Sequence, residues 1–559
     1  MGNWEPGSLV APDHEIERSS DGGDRDKARR PREMMSGDRY WLQTLGCPKN
    51  QVDSDKLAGR LAADGYHVAA TVEDADLVVV NTCAFIEEAR EESIATILDF
   101  AKARKRGARL VVTGCLAERY GTELQAELPE VDLVAGFGVA LAPPPGAARV
   151  PVHIARGAGG PEAGAPGAPG DSAPTVRAVG VTPVLAAAAP GASFDLLELP
   201  RPSSRAPWAY VKVAEGCDRI CGFCAIPTFR GPQRSRRPED VLAEVELLTR
   251  PLGQSSQEDS SEGAAEGERF QVREIVLVAQ DLASYGRDRS ERGQTGHTGH
   301  TGHTGHTGRT GHTGRTGRGP QPIVDLTKAV AELVPRTRLL YLYPSGLTDE
   351  LIAAVLATGV PYFDLSLQHV SRPLLVAMRR WGDGERFLAR IEEIRRAEPS
   401  ATFRSSFILG YPGETERDHD QLLAFLEEAQ LDWAGFFLFS PEEGTHAVSL
   451  GSQVPPELAL ERLRECSEVQ DRITARRRDD LVGTTQEVLV DAPGVARTVH
   501  EAPEIDGVVH VPRELKAGAL VRVEITGSLG TDLVGRPSGS ACAPSKASRG
   551  DRRVSEHSA

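Results

Sequence analysis

Residues 208–224 read WAYVKVAEGCDRICGFC, an apolar run of strand-forming residues that ends in a tight loop carrying Cys217, Cys221 and Cys224. The spacing is Cys-x3-Cys-x2-Cys. Three thiolates on one loop can hold three corners of a four-iron cluster and leave the fourth iron without a protein ligand, open to a substrate or cofactor. Structural zinc is the competing reading, but it wants four closed ligands, usually supplied as CxxC pairs.

Outward from this loop, apolar runs alternate with helical patterns, which predicts βα units and a mostly parallel sheet. Six such runs, WAYVKVA, REIVLVA, RLLYLY, YFDLSL, FRSSFIL and AGFFLF, begin at Trp208, Arg273, Arg338, Tyr362, Phe403 and Ala434. The first gap holds PEDVLAEVELL, with Pro238 suited to a first helical turn. Six units predict a partial (β/α)6 relative of the eight-stranded barrel, spanning 206–445, whose chemistry belongs at the carboxyl ends of the strands. Polar residues fall there: Glu215, Gln280, Asp281, Tyr343, Gln368, His369, Gly410, Ser440 and Glu442. A helical connector is expected over 446–482.

Before this core, residues 39–141 predict a separate α/β parallel-sheet domain. YWLQTLGC, DLVVVNTC and RLVVTGC each stop at a cysteine, namely Cys47, Cys83 and Cys115. If the runs are parallel strands of one sheet, the three thiols emerge at the same carboxyl edge, where such folds bind ligands. Any one alone would read as a small buried hydrophobe; three at equivalent strand ends point to a second three-thiolate cluster. Cys466, in the helical pattern LERLRECSEVQ, and Cys542, in a polar tail, carry no assigned function.

A chain of 559 residues is too long for one core and predicts three or four domains. Three stretches lack the side chains to pack: 1–38, a linker over 142–205 with segments such as AGGPEAGAPGAPGDSAP, and the period-three tract TGHTGHTGHTGHTGRTGHTGRTGRG at 295–319. No Pro enters the repeat interior, so a collagen helix fails, and its five His have nothing rigid to position them on a metal. A disordered tail is expected over 538–559. Lys+Arg 64 against Asp+Glu 80 leaves −16, which disfavours a coat for nucleic acid or an anionic membrane. The charged N-terminus has no apolar signal region and no run of eighteen apolar residues occurs, so a cytoplasmic protein is expected. Eight Cys in this length are too sparse for a disulfide scaffold and read as ligands or catalysts.

At the C-terminus, residues 483–537 contain QEVLVDA, GVVHVP and LVRVEIT, which predict a small antiparallel β-barrel resembling the TRAM domain. Its eight acids (Glu487, Asp491, Glu501, Glu504, Asp506, Glu514, Glu524, Asp532) outnumber its five bases (Arg497, Arg513, Lys516, Arg522, Arg536). An acidic barrel would repel phosphates and attract a basic protein, and Glu501, Glu504 and Asp506 are its candidate docking edge.

The loop at Cys217 resembles that of the radical S-adenosylmethionine superfamily, and with both triads in view the chain resembles the methylthiotransferases. That resemblance spans about Asp38 to Arg536. Its signatures are similar to the RimO type, which modifies an aspartate of small-subunit ribosomal protein twelve: LGCPKNQVDSD at Leu45, AEGCDRICGFCAIP at Ala214, VAQDLASYG at Val278, LQHVSRPLLVAMRR at Leu367, GYPGETE at Gly410 and EAPEIDG at Glu501. The related subclass acting on adenosine in transfer RNA has Gln-Met where Pro48-Lys49 stands and Ser-Gly where His369-Val370 stands. Ser366 replaces an expected Pro and Tyr411 an expected Phe; no cysteine is affected.

The resemblance implies two [4Fe-4S] clusters and S-adenosyl-L-methionine as cofactors. Cys217, Cys221 and Cys224 would hold the radical-generating cluster; Cys47, Cys83 and Cys115 would hold an auxiliary cluster that presents sulfur to a carbon radical on the aspartate. Phe223 is placed beside the adenine, and Gln280, Arg404 and Gly410, as strand-end residues, are expected to line the cofactor pocket. A basic ribosomal protein, an electron donor and a sulfur donor are the implied partners. A transfer-RNA enzyme and a non-catalytic iron–sulfur or zinc scaffold stay open as alternatives.

Overall fold

Five parallel strands build the first layer: β1 (Arg39–Thr44), β2 (His67–Val68), β3 (Leu77–Thr82), β4 (Arg109–Gly114) and β5 (Leu133–Val134), in the order β2-β1-β3-β4-β5. β3, LVVVNT, is buried at every position, as a parallel strand covered on both faces must be. Helix α1 (Pro48–Ala63) covers one face, setting Leu57 and Leu61 against Leu77, Val79 and Val111. On the other face, α2 (Glu87–Ala103) and α3 (Cys115–Glu127) bring Ile97, Leu116 and Leu124 onto Val78, Val80, Leu110 and Val112. The computed structural model describes residues 38–141, 194–251, 270–289 and 321–538. The expected N-terminal extension, most of the Ala/Pro/Gly-rich linker, the His repeat, nearly all of the tail and Cys542 lie outside the described residues.

The core strands are β6 (Trp208–Lys212), β9 (Glu274–Val278), β10 (Arg336–Leu339), β11 (Tyr362–Gln368), β12 (Thr402–Leu409) and β13 (Trp433–Leu438), with the short antiparallel pair β7 (Ala214–Glu215) and β8 (Arg234–Ser235) framing the cysteine loop. Between that pair lies α4 (Ile226–Arg230), and α5 (Pro238–Thr249) follows it. The core pairings are parallel in two three-stranded sheets, β10-β9-β6 and β11-β12-β13, joined by a bridge between Leu342 and Leu365. This is the expected open six-stranded α/β barrel. Outward residues such as Val211, Ile275, Leu277, Leu339, Phe363 and Phe403 pack under the helices; Tyr210, Val276, Val278, Leu340, Tyr362 and Trp433 point inward. The third strand begins two residues earlier than its apolar run and ends at Leu339, because Tyr341 takes a left-handed φ of 63°. Only the first two residues of RLLYLY are therefore in the strand.

Strands β14 (Thr485–Ala492), β15 (Val495–Arg497), β16 (Val509–His510), β17 (Leu520–Leu529) and β18 (Asp532–Pro537) close into a barrel in the order β14-β15-β16-β18-β17. Val488, Val490, Ala496, Val523, Ile525 and Leu533 fill it. One seam, β16 with β18, is parallel, so the expected antiparallel barrel is mixed there.

The acidic docking edge is corrected by burial. Glu501 is fully buried, paired with Arg478 and accepting from the Thr498 amide and hydroxyl; the Asp506 carboxylate, buried as well, pairs with Arg404 and accepts from the Tyr362 hydroxyl at 2.5 Å. Of the three only Glu504 is exposed. The exposed charges of the small barrel are Glu487, Glu504, Glu514 and Glu524 against Arg513, Lys516, Arg522 and Arg536, so the surplus of acid is internal and the outer face is balanced. The EAPEIDG segment is instead a plug. The Tyr210 hydroxyl donates to the Pro503 carbonyl and the Trp433 indole to the His500 carbonyl, both at 2.8 Å, which seals the amino-terminal end of the core barrel.

Beside the plug, buried Glu274 accepts from Arg338 at 2.8 Å and Arg497 at 3.0 Å, and Arg497 also pairs with Asp491. Burial alone would raise the Glu274 carboxyl, but Arg497, Arg338 and Arg336 hold it down at about 2. No described helix is long and apolar enough to cross a membrane. Removing this carboxylate leaves buried Arg338 without an ion-pair partner and Arg497 with Asp491 alone. Glu274→Ala is expected to lower stability by about 3–5 kcal/mol, while Glu514→Ala on the exposed face changes it by less than about 0.5 kcal/mol, both read from denaturation midpoints.

Candidate active site

Because β1, β3 and β4 are adjacent and parallel, their exits deliver three thiols to one edge. Cys83 follows β3 directly, Cys115 opens α3 after β4, and Cys47 follows β1 through Leu45 and Gly46. Gly46 has φ +89°, and a Cβ there would lie 2.8 Å from both the Cβ and the Sγ of Cys83. Only glycine lets the two loops approach so closely. The Asn50 side-chain amide ties them by donating to the Leu45 carbonyl at 3.0 Å and the Thr82 carbonyl at 2.9 Å. Burial pushes the Cys47 thiol up, yet the charges of Lys49 and Arg230 and the amides of Asn50 and Lys49 at the start of α1 bring it below its ordinary value. Cys83 is pushed up to about 12 by burial and by the charges of Cys47 and Cys115. The seven described cysteines are free thiols.

The second triad hangs from β7. The Cys217 amide donates to the Gly231 carbonyl at 3.1 Å, the Gly222 amide to the Met378 carbonyl at 2.8 Å, and the Ala447 amide to the Gly222 carbonyl at 2.8 Å. The loop is thus stitched to segments that follow β11 and β13. Arg219 and Arg380 sandwich the Tyr343 ring at 3.8 and 4.4 Å; Arg219 pairs with Asp281 at 2.6 Å, and Arg380 donates to the Cys221 sulfur at 3.2 Å. Burial pushes Cys217 up to about 11 and Cys224 up to about 12, so metal binding must displace protons from these thiols. Among the described residues, no three His, Cys, Asp or Glu side chains converge as a single metal ion would require.

Phe223 lies half-buried against the core, Gln280 lies half-buried two residues past β9, and Gly410, at the exit of β12, donates its amide to Glu414. Arg404 departs from expectation. It is the third residue of β12 rather than a strand-end residue, and Asp364 at 3.3 Å and Asp506 at 3.4 Å occupy its guanidinium inside the barrel. A residue two positions into a strand shares its facing layer with neighbouring strands, so the barrel interior claims it.

Arg230 joins the triads, and sequence reasoning missed it. It ends the short helix α4 that begins two residues after Cys224, and its side chain is buried. From there it donates to the Cys115 sulfur at 3.0 Å, the Asn50 side-chain Oδ1 at 2.7 Å and Glu215 at 2.8 Å, with Asp53 at 3.5 Å. Lys212 pairs with Asp53 and, at 2.6 Å, with Glu215. One signal was available in the sequence: polar Lys49, Asn50, Asp53 and Ser54 recur at helical spacing, and all are buried on α1. Glu442, expected at a strand end, lies there and clasps Arg90 at 2.7 Å as well as Arg119, holding the first domain over the barrel mouth.

Three family models match: Uncharacterized protein family UPF0004 over 39–136, the Radical SAM superfamily over 296–426 and the TRAM domain over 482–537. They define a radical enzyme flanked by two accessory domains. Full-length relatives narrow the class. The ribosomal protein uS12 methylthiotransferase RimO of Moorella thermoacetica is 39% identical over 87% of this chain and 96% of its own length. Those of Nocardioides sp. and Streptomyces coelicolor are each 37% identical, over 90% and 89% of this chain and 98% and 96% of their own lengths. The chain belongs to the RimO family of ribosomal protein uS12 methylthiotransferases.

Gly46 and Gly107 both have positive φ, but a Cβ at Gly107 meets nothing within 4 Å. Gly107→Ala should cost only the left-handed penalty of about 1–2 kcal/mol. Gly46→Ala should cost more and expose Cys83, seen as faster alkylation of that thiol in the cluster-free protein.

Proposed function

We propose that this chain adds a methylthio group at the β-carbon of an aspartate side chain in ribosomal protein uS12. The observation that carries the reading is a buried arginine, six residues past Cys224 of one triad, that bonds the Cys115 sulfur of the other, in a chain whose full-length relatives bear that activity's name. The residues fit two iron–sulfur centres. Each triad offers three free thiols at neighbouring loop or strand-end positions, and among the described residues no side chains converge tightly enough for a closed single-metal zinc site, which leaves the wider cluster as the reading the thiols fit. Arg230 and Arg380 each donate to a triad sulfur, so cationic groups offset the charge of thiolate-bound clusters. When bound, the two clusters and S-adenosylmethionine supply the radical, the sulfur and the methyl group.

The chain's own share is placement and exclusion of water. The plug around Pro503 closes the base of the barrel, and Glu442 fastens the first domain over its mouth. The cysteine loop is held by backbone bonds from two other strand exits, which fixes its position relative to the first-domain triad. Phe223 and Gly410 flank this loop's side of the mouth and are the proposed cofactor contacts, with Gln280 at the neighbouring exit. The substrate places the enzyme in the cytoplasm with the ribosome; electrons and replacement sulfur come from separate donors.

Anaerobically reconstituted protein incubated separately with purified uS12 and with transfer RNA should add methylthio mass to the protein only. Methylthio-adenosine with unmodified uS12 would refute the assignment. Cys83→Ala should lose the product and about half of the iron while still forming 5′-deoxyadenosine; equal loss of both reactions would refute the division between the triads.

A further inference from the structure

Lys49 is 7% exposed, and its ammonium lies 3.3 Å from the centroid of the Tyr341 ring. Every other buried Lys or Arg among the described residues has an oxygen partner: Lys56 the Leu197 carbonyl and Glu244, Lys212 Asp53 and Glu215, Arg338 Glu274, and so through the set. Lys49 alone among them has an aromatic face and neither a carboxylate nor a carbonyl within bonding distance. It also occupies the second position of α1, where the helix dipole disfavours a cation and the first turn holds no acid. A buried amine with no oxygen partner offers an incoming anion an unused set of donors.

The position says which anion. Lys49 stands two residues after Cys47, and Tyr341 lies in the loop leaving β10, two residues before Tyr343, which packs against Arg380 and so borders the Cys221 sulfur. Below, the Tyr341 amide donates to Asp364, whose other oxygen is taken by Arg404, so that carboxylate is already committed. The ammonium therefore lies where the exit of β1, which carries Cys47, meets the exit of β10, which leads to Tyr343 beside the second triad. We propose that Lys49 binds the side-chain carboxylate of the target aspartate and thereby selects aspartate as the residue to be modified. The β-carbon of aspartate is bonded directly to its carboxyl carbon, so gripping the carboxylate fixes the reacting carbon. This inference rests on the methylthiotransferase reading and adds to it the group that recognises the substrate.

The test is binding without turnover. Labelled uS12 and a form with its target aspartate changed to asparagine are titrated against the reconstituted protein in the absence of S-adenosylmethionine. The wild type should prefer the aspartate form by about 10- to 100-fold, the range of a charge-assisted hydrogen bond. Lys49→Met, of similar length and able to lie on Tyr341, should bring that ratio to about one while leaving affinity for the asparagine form and the melting midpoint of the cluster-free protein unchanged; Lys49→Arg should keep part of the preference. A Lys49→Met protein that retains the tenfold preference overturns the proposal. So does one whose ratio is unchanged while the auxiliary cluster's reduction potential shifts, which would assign the charge to the cluster. Wild-type protein that never modifies uS12 would instead strike the reading beneath it.

Discussion

The arrangement depends on a single buried guanidinium. A charge with the exposure of Arg230 is costly unless its donors are satisfied, and here Glu215 and Asp53 neutralise it while Asn50 and the Cys115 sulfur take the remaining N–H groups. Those partners come from three places: α1 of the first domain, the start of α3, and β7 next to the cysteine loop. Since α4 starts two residues beyond Cys224, the register of one triad is transmitted through a single turn of helix to a sulfur of the other. Neither triad can move alone without leaving a buried charge unpaired.

The small barrel acts on the same core from the opposite end. Its EAPEIDG loop inserts against Tyr210, Tyr362 and Trp433, and Arg336, Arg338 and Arg404 reach out of the core strands to meet its carbonyls and carboxylates. A barrel sealed at its amino-terminal end leaves its chemistry facing the carboxyl ends, where the first domain sits. The acidic residues of this module thus serve internal pairing, and its exposed charges balance.

What was legible in the sequence follows from what local pattern can encode. Apolar runs bounded by turn residues marked the strands, and Gly-Cys steps at 46–47 and 216–217 marked the strand exits where thiols gather. The six core strands and the loops or strand ends that carry the six thiols followed. RLLYLY was overextended because an apolar run does not reveal that Tyr341 turns out of the sheet. Arg404, Glu501 and Asp506 were misplaced for a shared reason: periodicity reports which face a residue occupies and says nothing of a partner far along the chain. A buried acid beside an arginine from another domain reads, in sequence, like an exposed acid. Arg230 escaped notice in the same way, since its partners lie 115 to 180 positions away apart from Glu215.

The central claim is that the six thiols hold two distinct metal centres on either side of one mouth. Anomalous diffraction at the iron absorption edge, from crystals of anaerobically reconstituted protein, tests it most directly. Two separate iron peaks are predicted, one bounded by Cys47, Cys83 and Cys115 and the other by Cys217, Cys221 and Cys224, with Arg230 between them. A single peak, or iron at the second loop with the first-domain thiols bare, would contradict the account.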